Sequence, residues 1–220
     1  MSARWSGSPD RGPLVYRPAG PVDTSPRRPA AFLDRDGTLN EAVPDRDSGA
    51  PESPLSVADV RLIPAAPGAV KKLLDASYAL VCVTNQPAAA KGKATLPELL
   101  EVHERVLGLL AEQGVRIDVS LLCPHHPEGR AGELARRCDC RKPAPGMLLG
   151  AGAELGLDLA HSWMLGDTDA DVAAGRAAGC RTVLLDYPPS AHKRSGRQTP
   201  DISAPDLATA VAQVLGQPRR

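Results

Sequence analysis

Ala31-Phe32-Leu33-Asp34-Arg35-Asp36-Gly37-Thr38 decides how this chain folds. A short apolar run ends in two carboxylates two residues apart, followed by a glycine that lets the backbone turn sharply. In an extended segment residues i and i+2 point the same way, so Asp34 and Asp36 leave the strand on one side. The segment predicts a strand that delivers acids to the end of a sheet.

Outward from it, apolar β-type runs at 31–33, 79–83, 119–122, 163–165 and 182–185 alternate with helical patterns at 69–76, 96–113, 145–155, 169–178 and 205–215. The 96–113 pattern places Leu99, Val102, Val106, Leu109 and Leu110 on one stripe. This alternation predicts an α/β fold: an open parallel sheet with helices on both faces and its ligand site beyond the carboxyl ends of the strands. Residues 1–29 are rich in Pro, Arg, Gly and Ser without periodicity, which predicts a disordered N-terminal extension. One domain is expected over 30–216, with a tail at 217–220. The 40–56 loop holds Pro44, Asp45, Asp47, Ser48, Gly49, Pro51 and Pro54, a length that suits either a lid or a partly disordered insertion. Its composition favours partial disorder.

At 220 residues the chain can bury a full core as a single domain. Its 26 Lys plus Arg balance 26 Asp plus Glu, so no global field attracts nucleic acid or an anionic membrane, and a small substrate is expected. A monomer is expected. No apolar run approaches the ~18 to 20 residues of a membrane span, and the N-terminus lacks a hydrophobic signal core, which predicts a cytoplasmic protein. Five cysteines are too few for a disulfide scaffold. Cys82 and Cys180 sit in apolar runs and read as core, whereas the other three cluster with histidine.

Paired carboxylates repel unless a shared proton or a cation relieves them, and Mg2+ is the hard ion that oxygen donors suit. With a phosphate ester on that ion, one aspartate can attack phosphorus while the other protonates the leaving oxygen, through an aspartyl-phosphate. Other strand ends carry matching groups. Thr84, Asn85 and Gln86 offer a hydroxyl and amides for phosphoryl oxygens and substrate hydroxyls. Arg141 and Lys142 precede a helix-opening Pro145-Gly146 and can neutralise phosphate. After 163–166 come Asp167, Asp169 and Asp171, more carboxylates than a helix cap needs, which points to a shared metal site. A second cluster, Cys123-Pro124-His125-His126 with Cys138-Asp139-Cys140, supplies Cys123, His125, Cys138 and Cys140 as a closed tetrahedral set for Zn2+. Spacing does not distinguish His125 from His126.

The order acidic pair, Thr, Lys, second acidic group, each after an apolar strand, resembles the haloacid dehalogenase superfamily of phosphotransferases. The matching motifs are Asp34-x-Asp36-Gly37-Thr38, Thr84, Lys142 and Gly166-Asp167-x-x-x-Asp171. The resemblance implies a Rossmann-like fold with Asp34 as nucleophile and Asp36 as general acid, then base. It implies that Thr84 and Lys142 hold phosphoryl oxygens, and that Asp167 completes a Mg2+ shell with the Asp34 carboxylate and the Asp36 carbonyl, oriented by Asp171. Cys-Pro-His-His-Pro-Glu-Gly followed by Cys-Asp-Cys-Arg-Lys-Pro-x-Pro-Gly-Met looks like the D-glycero-D-manno-heptose 1,7-bisphosphate 7-phosphatase and histidinol-phosphate phosphatase family, over 30–215.

That resemblance implies Mg2+-dependent removal of the 7-phosphate of the heptose bisphosphate. Asn85, Gln86, Arg141 and Lys142 would contact substrate, with Arg141 on the non-reacting phosphate. A minimal cap made of loops would include the zinc loop as a wall. Histidinol phosphate is the alternative substrate. A receiver-type signalling module uses similar groups, but Asp36 favours turnover over phosphate storage. A zinc-based nucleic-acid module would need a basic balance that this chain lacks. The chain departs from the family where Pro87-Ala88-Ala89-Ala90 replaces a small residue, glycine and a branched apolar residue, which predicts a stiffer substrate loop.

Overall fold

The computed structural model describes residues 4–218 apart from Thr24, Pro26, Arg46 and Asp47, so Asp47 of the long loop and the ends of both termini lie outside the described residues. The chain runs through β1 (Arg4–Ser6), β2 (Leu14–Arg17), β3 (Ala30–Leu33), β4 (Val43–Pro44), β5 (Pro51–Glu52), α1 (Ala66–Asp75), β6 (Ala79–Asn85) and α2 (Leu96–Glu112). It continues through β7 (Val119–Cys123), α3 (Gly146–Leu155), β8 (Trp163–Gly166), α4 (Asp169–Ala177), β9 (Arg181–Leu185), β10 (Ile202–Ala204) and α5 (Leu207–Leu215).

Among the described residues the main sheet has the order β1-β2-β7-β6-β3-β8-β9-β10. The pairs from β7 to β10 are all parallel, while β1–β2 and β2–β7 are antiparallel. Period-two alternation divides β3 between two cores. Ala31 and Leu33 face α1, α2 and α5 through Val70, Leu73, Val102, Val106 and Val211. Ala30 and Phe32 face α3 through Met147, Leu148 and Ala151, and α4 through Ala174. All four β3 residues are buried, as expected for a central parallel strand covered on both faces. β3 lies between β6 and β8, with Leu33 opposite both Cys82 and Leu165, so three strand ends open at one edge. Local chemistry sets the helix entries. Thr95 and Glu98 form a capping box at the start of α2, and the Asp206 side chain accepts from the Thr209 N–H at the start of α5.

Two expectations fail here. Residues expected to be a disordered extension include the β1–β2 hairpin, which adds to β7 with Leu14 opposite Leu122 and Tyr16 opposite Ser120. Composition misses it because the order comes from tertiary pairing: Trp5 stacks edge-on to Tyr16 at 5.1 Å, and its indole N–H donates to Glu104 at 2.6 Å. The long loop likewise contains an ordered element, the β4–β5 ladder, pinned by a Lys93–Asp45 ion pair at 2.7 Å.

Candidate active site

Asp34 follows β3 directly, and its N–H donates to the Leu165 carbonyl at 2.9 Å, which fixes the acid between β3 and β8. Asp34 Oδ1 accepts from the Arg35 N–H at 2.7 Å and pairs with Lys142 Nζ at 2.8 Å. Those bonds orient the carboxylate and leave Oδ2 for an incoming phosphorus or cation. Lys142 also pairs with Asp171 Oδ1 at 2.6 Å and donates to the Val83 carbonyl at 2.8 Å. Its ammonium therefore joins the ends of β3, β6 and α4. Asn85 clamps the Lys142 backbone from both sides, with its Nδ2 donating to the Lys142 carbonyl at 2.9 Å and its Oδ1 accepting from the Lys142 N–H at 3.1 Å.

The structure gathers Asp34, Asp167 and Asp171, each offering an oxygen within 4.8 Å of the others. Burial pushes the Asp34 carboxyl up to about 6 despite Lys142, and burial with the charges of Asp34 and Asp171 pushes Asp167 up to about 8. Like charges at this density call for a cation. Asp167 Oδ1 is buried without a hydrogen-bond partner, and hard oxygen donors in this number suit Mg2+. Gly37 makes the space: its φ of 82° is left-handed, and a Cβ there would overlap Asp167 Oδ2.

The Asp36 carboxylate is not in that group, so only its backbone carbonyl could serve the ion. Its Oδ1 accepts from Arg35 Nη2 at 3.0 Å and from Asn40 at 2.9 Å, and its Oδ2 from Ser53 at 2.8 Å and Gln86 at 2.5 Å. Burial alone would raise this carboxyl, but Arg35 and the three hydrogen bonds hold it below the usual carboxylate range. Burial likewise opposes the Lys142 charge, while Asp171 and Asp34 keep its proton bound well above the ordinary lysine value.

A cavity of about 300 Å3 opens on these groups, with Asp34, Asp36, Asn85, Arg141, Lys142 and Asp167 in its wall. Gln86 differs from expectation: it is fully buried and holds Asp36 and Thr84 rather than reaching the cavity. Thr84 lies beside it, accepting from Gln86 Nε2 at 3.0 Å. The excess acids also divide their work. Asp171 accepts from the Thr168 N–H and hydroxyl at 3.0 and 2.6 Å as a capping box, and Asp169 turns to the Ser195 N–H at 2.7 Å. Sequence reading missed Arg35, Ser53, Lys91 and Lys193. Arg35 is 0 % exposed between the two acids, Ser53 arrives from the loop after β5, and both lysines line the cavity. Only Arg35 carried a signal, as a cation placed between two carboxylates.

The second cluster brings together Cys123, His125, Cys138 and Cys140 within 4.8 Å. His125 is the inward histidine, with Nδ1 3.5 Å from Cys123 Sγ and 3.3 Å from Cys140 Sγ, whereas His126 Nδ1 accepts from the Glu128 N–H. The sulfurs lie 3.2 to 3.6 Å apart, and a hydrogen bond from Cys140 pulls the Cys123 thiol down to about 6. Three thiols and an imidazole converging without disulfides fit Zn2+, with no protein position left open for catalysis. Arg141 Nη1 donates to the His125 carbonyl at 3.1 Å, which ties this cluster to the cavity wall. The loop at 87–91 closes as a tight turn, Lys91 N–H to Pro87 carbonyl at 2.9 Å, and its Ala90 carbonyl accepts from the Arg130 and Ala131 N–H groups of the same cluster loop.

Among the described residues no helix is long and apolar enough to cross a membrane. The HAD-hydrolase-like family profile matches residues 139–210. The D-glycero-beta-D-manno-heptose-1,7-bisphosphate 7-phosphatase of Yersinia pestis is 41% identical over 157 residues, covering 71% of this chain and 79% of that one. A solved Mesorhizobium loti structure assigned to the HAD-like phosphatases superposes with a TM-score of 0.78 at 34% identity, over 98% of this chain and 99% of its own. The D,D-heptose 1,7-bisphosphate phosphatase from B. bronchiseptica, solved with magnesium and phosphate, gives a TM-score of 0.70 at 28% identity, over 86% of this chain and 98% of its own.

Proposed function

The chain belongs to the haloacid dehalogenase-like family of heptose bisphosphate 7-phosphatases, and from that premise we propose that it removes the 7-phosphate of D-glycero-D-manno-heptose 1,7-bisphosphate through an aspartyl-phosphate. The observation that carries this reading is the convergence of Asp34, Lys142 and Asp167 at a cavity whose wall includes Arg141, itself tied to the cysteine cluster.

In the first step an oxygen of the Asp34 carboxylate bonds to phosphorus and the bond from phosphorus to the sugar O7 breaks. Asp36 gives its proton to that oxygen. In the second step Asp36 takes a proton from water, whose oxygen attacks the same phosphorus, releasing inorganic phosphate and restoring Asp34. At rest Asp36 is held ionised by Arg35, Asn40, Ser53 and Gln86, the form needed for the second step. The negative charge of an entering phosphate raises its proton affinity, as the first step needs. Lys142 neutralises phosphoryl oxygens, Thr84 adds a hydroxyl beside them, and Asn85 holds the Lys142 backbone in place. Asp34, Asp167 and the Asp36 carbonyl would hold Mg2+, which when bound supplies charge neutralisation for the transferring group.

Arg141 binds the phosphate that stays, and Lys91 and Lys193 add charge to the same wall. Three cations in the wall besides Lys142 suit a second phosphate, which favours a bisphosphate over histidinol phosphate. A cytoplasmic monomer is part of the same proposal, supported by cysteines that pair in no disulfide and by isolated exposed apolar side chains such as Val57, Leu149 and Leu215.

Side-by-side kcat/KM with Mg2+ for both anomers of the heptose bisphosphate and for histidinol phosphate tests the substrate. The bisphosphate is expected to lead, and a lead for histidinol phosphate would overturn the assignment. Asp36→Asn is expected to slow turnover by ~10² to 10⁴, the usual contribution of a positioned acid-base group, in a protein that still folds but melts lower because buried Arg35 loses its anionic partner. Full activity in that variant would remove Asp36 from the mechanism.

A further inference from the structure

The β1–β2 hairpin has no part in the chemistry above, yet its turn reaches the cysteine cluster. β2 pairs with β7, whose last residue is Cys123, and the Ser8 carbonyl closes the turn by accepting from the Arg11 and Gly12 N–H groups at 2.9 and 3.1 Å. The Pro9 carbonyl in that turn lies 2.5 Å from His125 Nε2. A carbonyl has no proton to give, so Nε2 must carry the hydrogen, and a neutral imidazole then keeps its lone pair on Nδ1. Nδ1 is the atom facing Cys123 and Cys140.

We propose that the N-terminal hairpin is a positioning element of the zinc loop: the Pro9 carbonyl fixes the His125 tautomer that presents Nδ1 to the metal with Cys123, Cys138 and Cys140. Arg136 shares the Pro9 oxygen, to which its Nη2 donates at 3.2 Å. The same Nη2 lies 3.1 Å from Nε2 and could only donate to it, so it competes for the opposite tautomer, and the shorter 2.5 Å approach of the Pro9 carbonyl decides the proton's place. The hairpin is anchored away from the turn by Trp5 to Glu104 on α2 at 2.6 Å and by Arg17 to Glu154 on α3 at 2.6 Å, so the carbonyl is held by the body of the domain. Because the His125 carbonyl accepts from Arg141, the same hold extends to the cavity wall. Partners of this kind orient a metal-bound imidazole and typically change metal affinity by ~10 to 100-fold when lost.

The inference rests on reading the four-residue cluster as a zinc site, which the zinc content of the purified full-length protein tests first. A zinc-free protein would overturn both. In the zinc-loaded protein, histidine 15N–1H correlation spectra should show His125 protonated at Nε2 and coordinated through Nδ1; coordination through Nε2 would overturn the hairpin's role alone. A full-length variant lacking Pro9 and Asp10 should release zinc to the chromophoric chelator 4-(2-pyridylazo)resorcinol ~10 to 100-fold faster. In the His125→Cys background, which has no tautomer to set, the same deletion should have little effect. Equal acceleration in both backgrounds, or none in either, would contradict the proposal. Should the shortened turn fail to fold, the spectrum of the unaltered protein still decides.

Discussion

Asp34→Asn is expected to abolish phosphate release while leaving the metal-free protein as stable as the parent or slightly more so. In the proposed mechanism the carboxylate oxygen is the attacking group, and an amide in its place cannot form the acyl phosphate, so the loss should exceed the ~10² to 10⁴-fold contribution of an acid-base residue. The stability follows from charge. Asp34 is buried beside Asp167 and Asp171, and its carboxyl is pushed up to about 6. A carboxyl whose folded value is raised binds its proton more tightly when folded, so stability declines as pH rises from the ordinary value of ~4 through about 6. At neutral pH the ionised form therefore opposes folding, and an amide removes that opposition. Phosphate release with Mg2+ and a thermal melt in chelator check both parts. Activity within tenfold of the parent would exclude Asp34 as the nucleophile.

Lys142→Met should be costly to both function and fold. The ammonium is buried, and it faces Asp34 at 2.8 Å and Asp171 at 2.6 Å. Its removal leaves those acids without their cation in a site that already raises Asp167, and breaking a buried pair from one side costs about 3–5 kcal/mol. For a domain of this size that is a fall in Tm of roughly 6 to 20 °C. Protonation of the abandoned carboxyls places the result nearer the smaller figure at low pH and the larger above pH 8, because Asp167 is pushed up to about 8. Mg2+ should recover part of the loss by supplying positive charge to the same acids. A parental melt in chelator, or parental turnover with Mg2+, would contradict the assigned place of Lys142.

The parallel core of the sheet was legible because fully buried strands such as Ala79–Asn85 are long apolar runs, and because α2 shows its apolar stripe and its Thr95 cap in sequence. The edges were not. β1, β2 and β10 are three or four residues long without the continuous apolar run that marks the equally short β3, and they exist through pairing of β1 with β2, β2 with β7 and β10 with β9. The same division holds for the site. Asp34, Lys142 and Asp167 follow apolar runs or precede a helix, and a parallel sheet brings such positions to one edge. Ser53 was hidden because it meets Asp36 only after the loop folds back through the β4–β5 ladder, a contact across 17 positions with no spacing to announce it. Gln86 was readable as a polar group near the site but not as one turned inward onto Asp36, since residue type does not state direction.

The most direct measurement is 31P NMR of D-glycero-D-manno-heptose 1,7-bisphosphate turning over with the zinc-loaded enzyme and Mg2+. The account predicts loss of the C7 phosphomonoester signal, growth of inorganic phosphate in equal amount and an intact anomeric phosphate. Loss of the anomeric signal instead, or an unchanged spectrum under conditions where histidinol phosphate is hydrolysed, would contradict it.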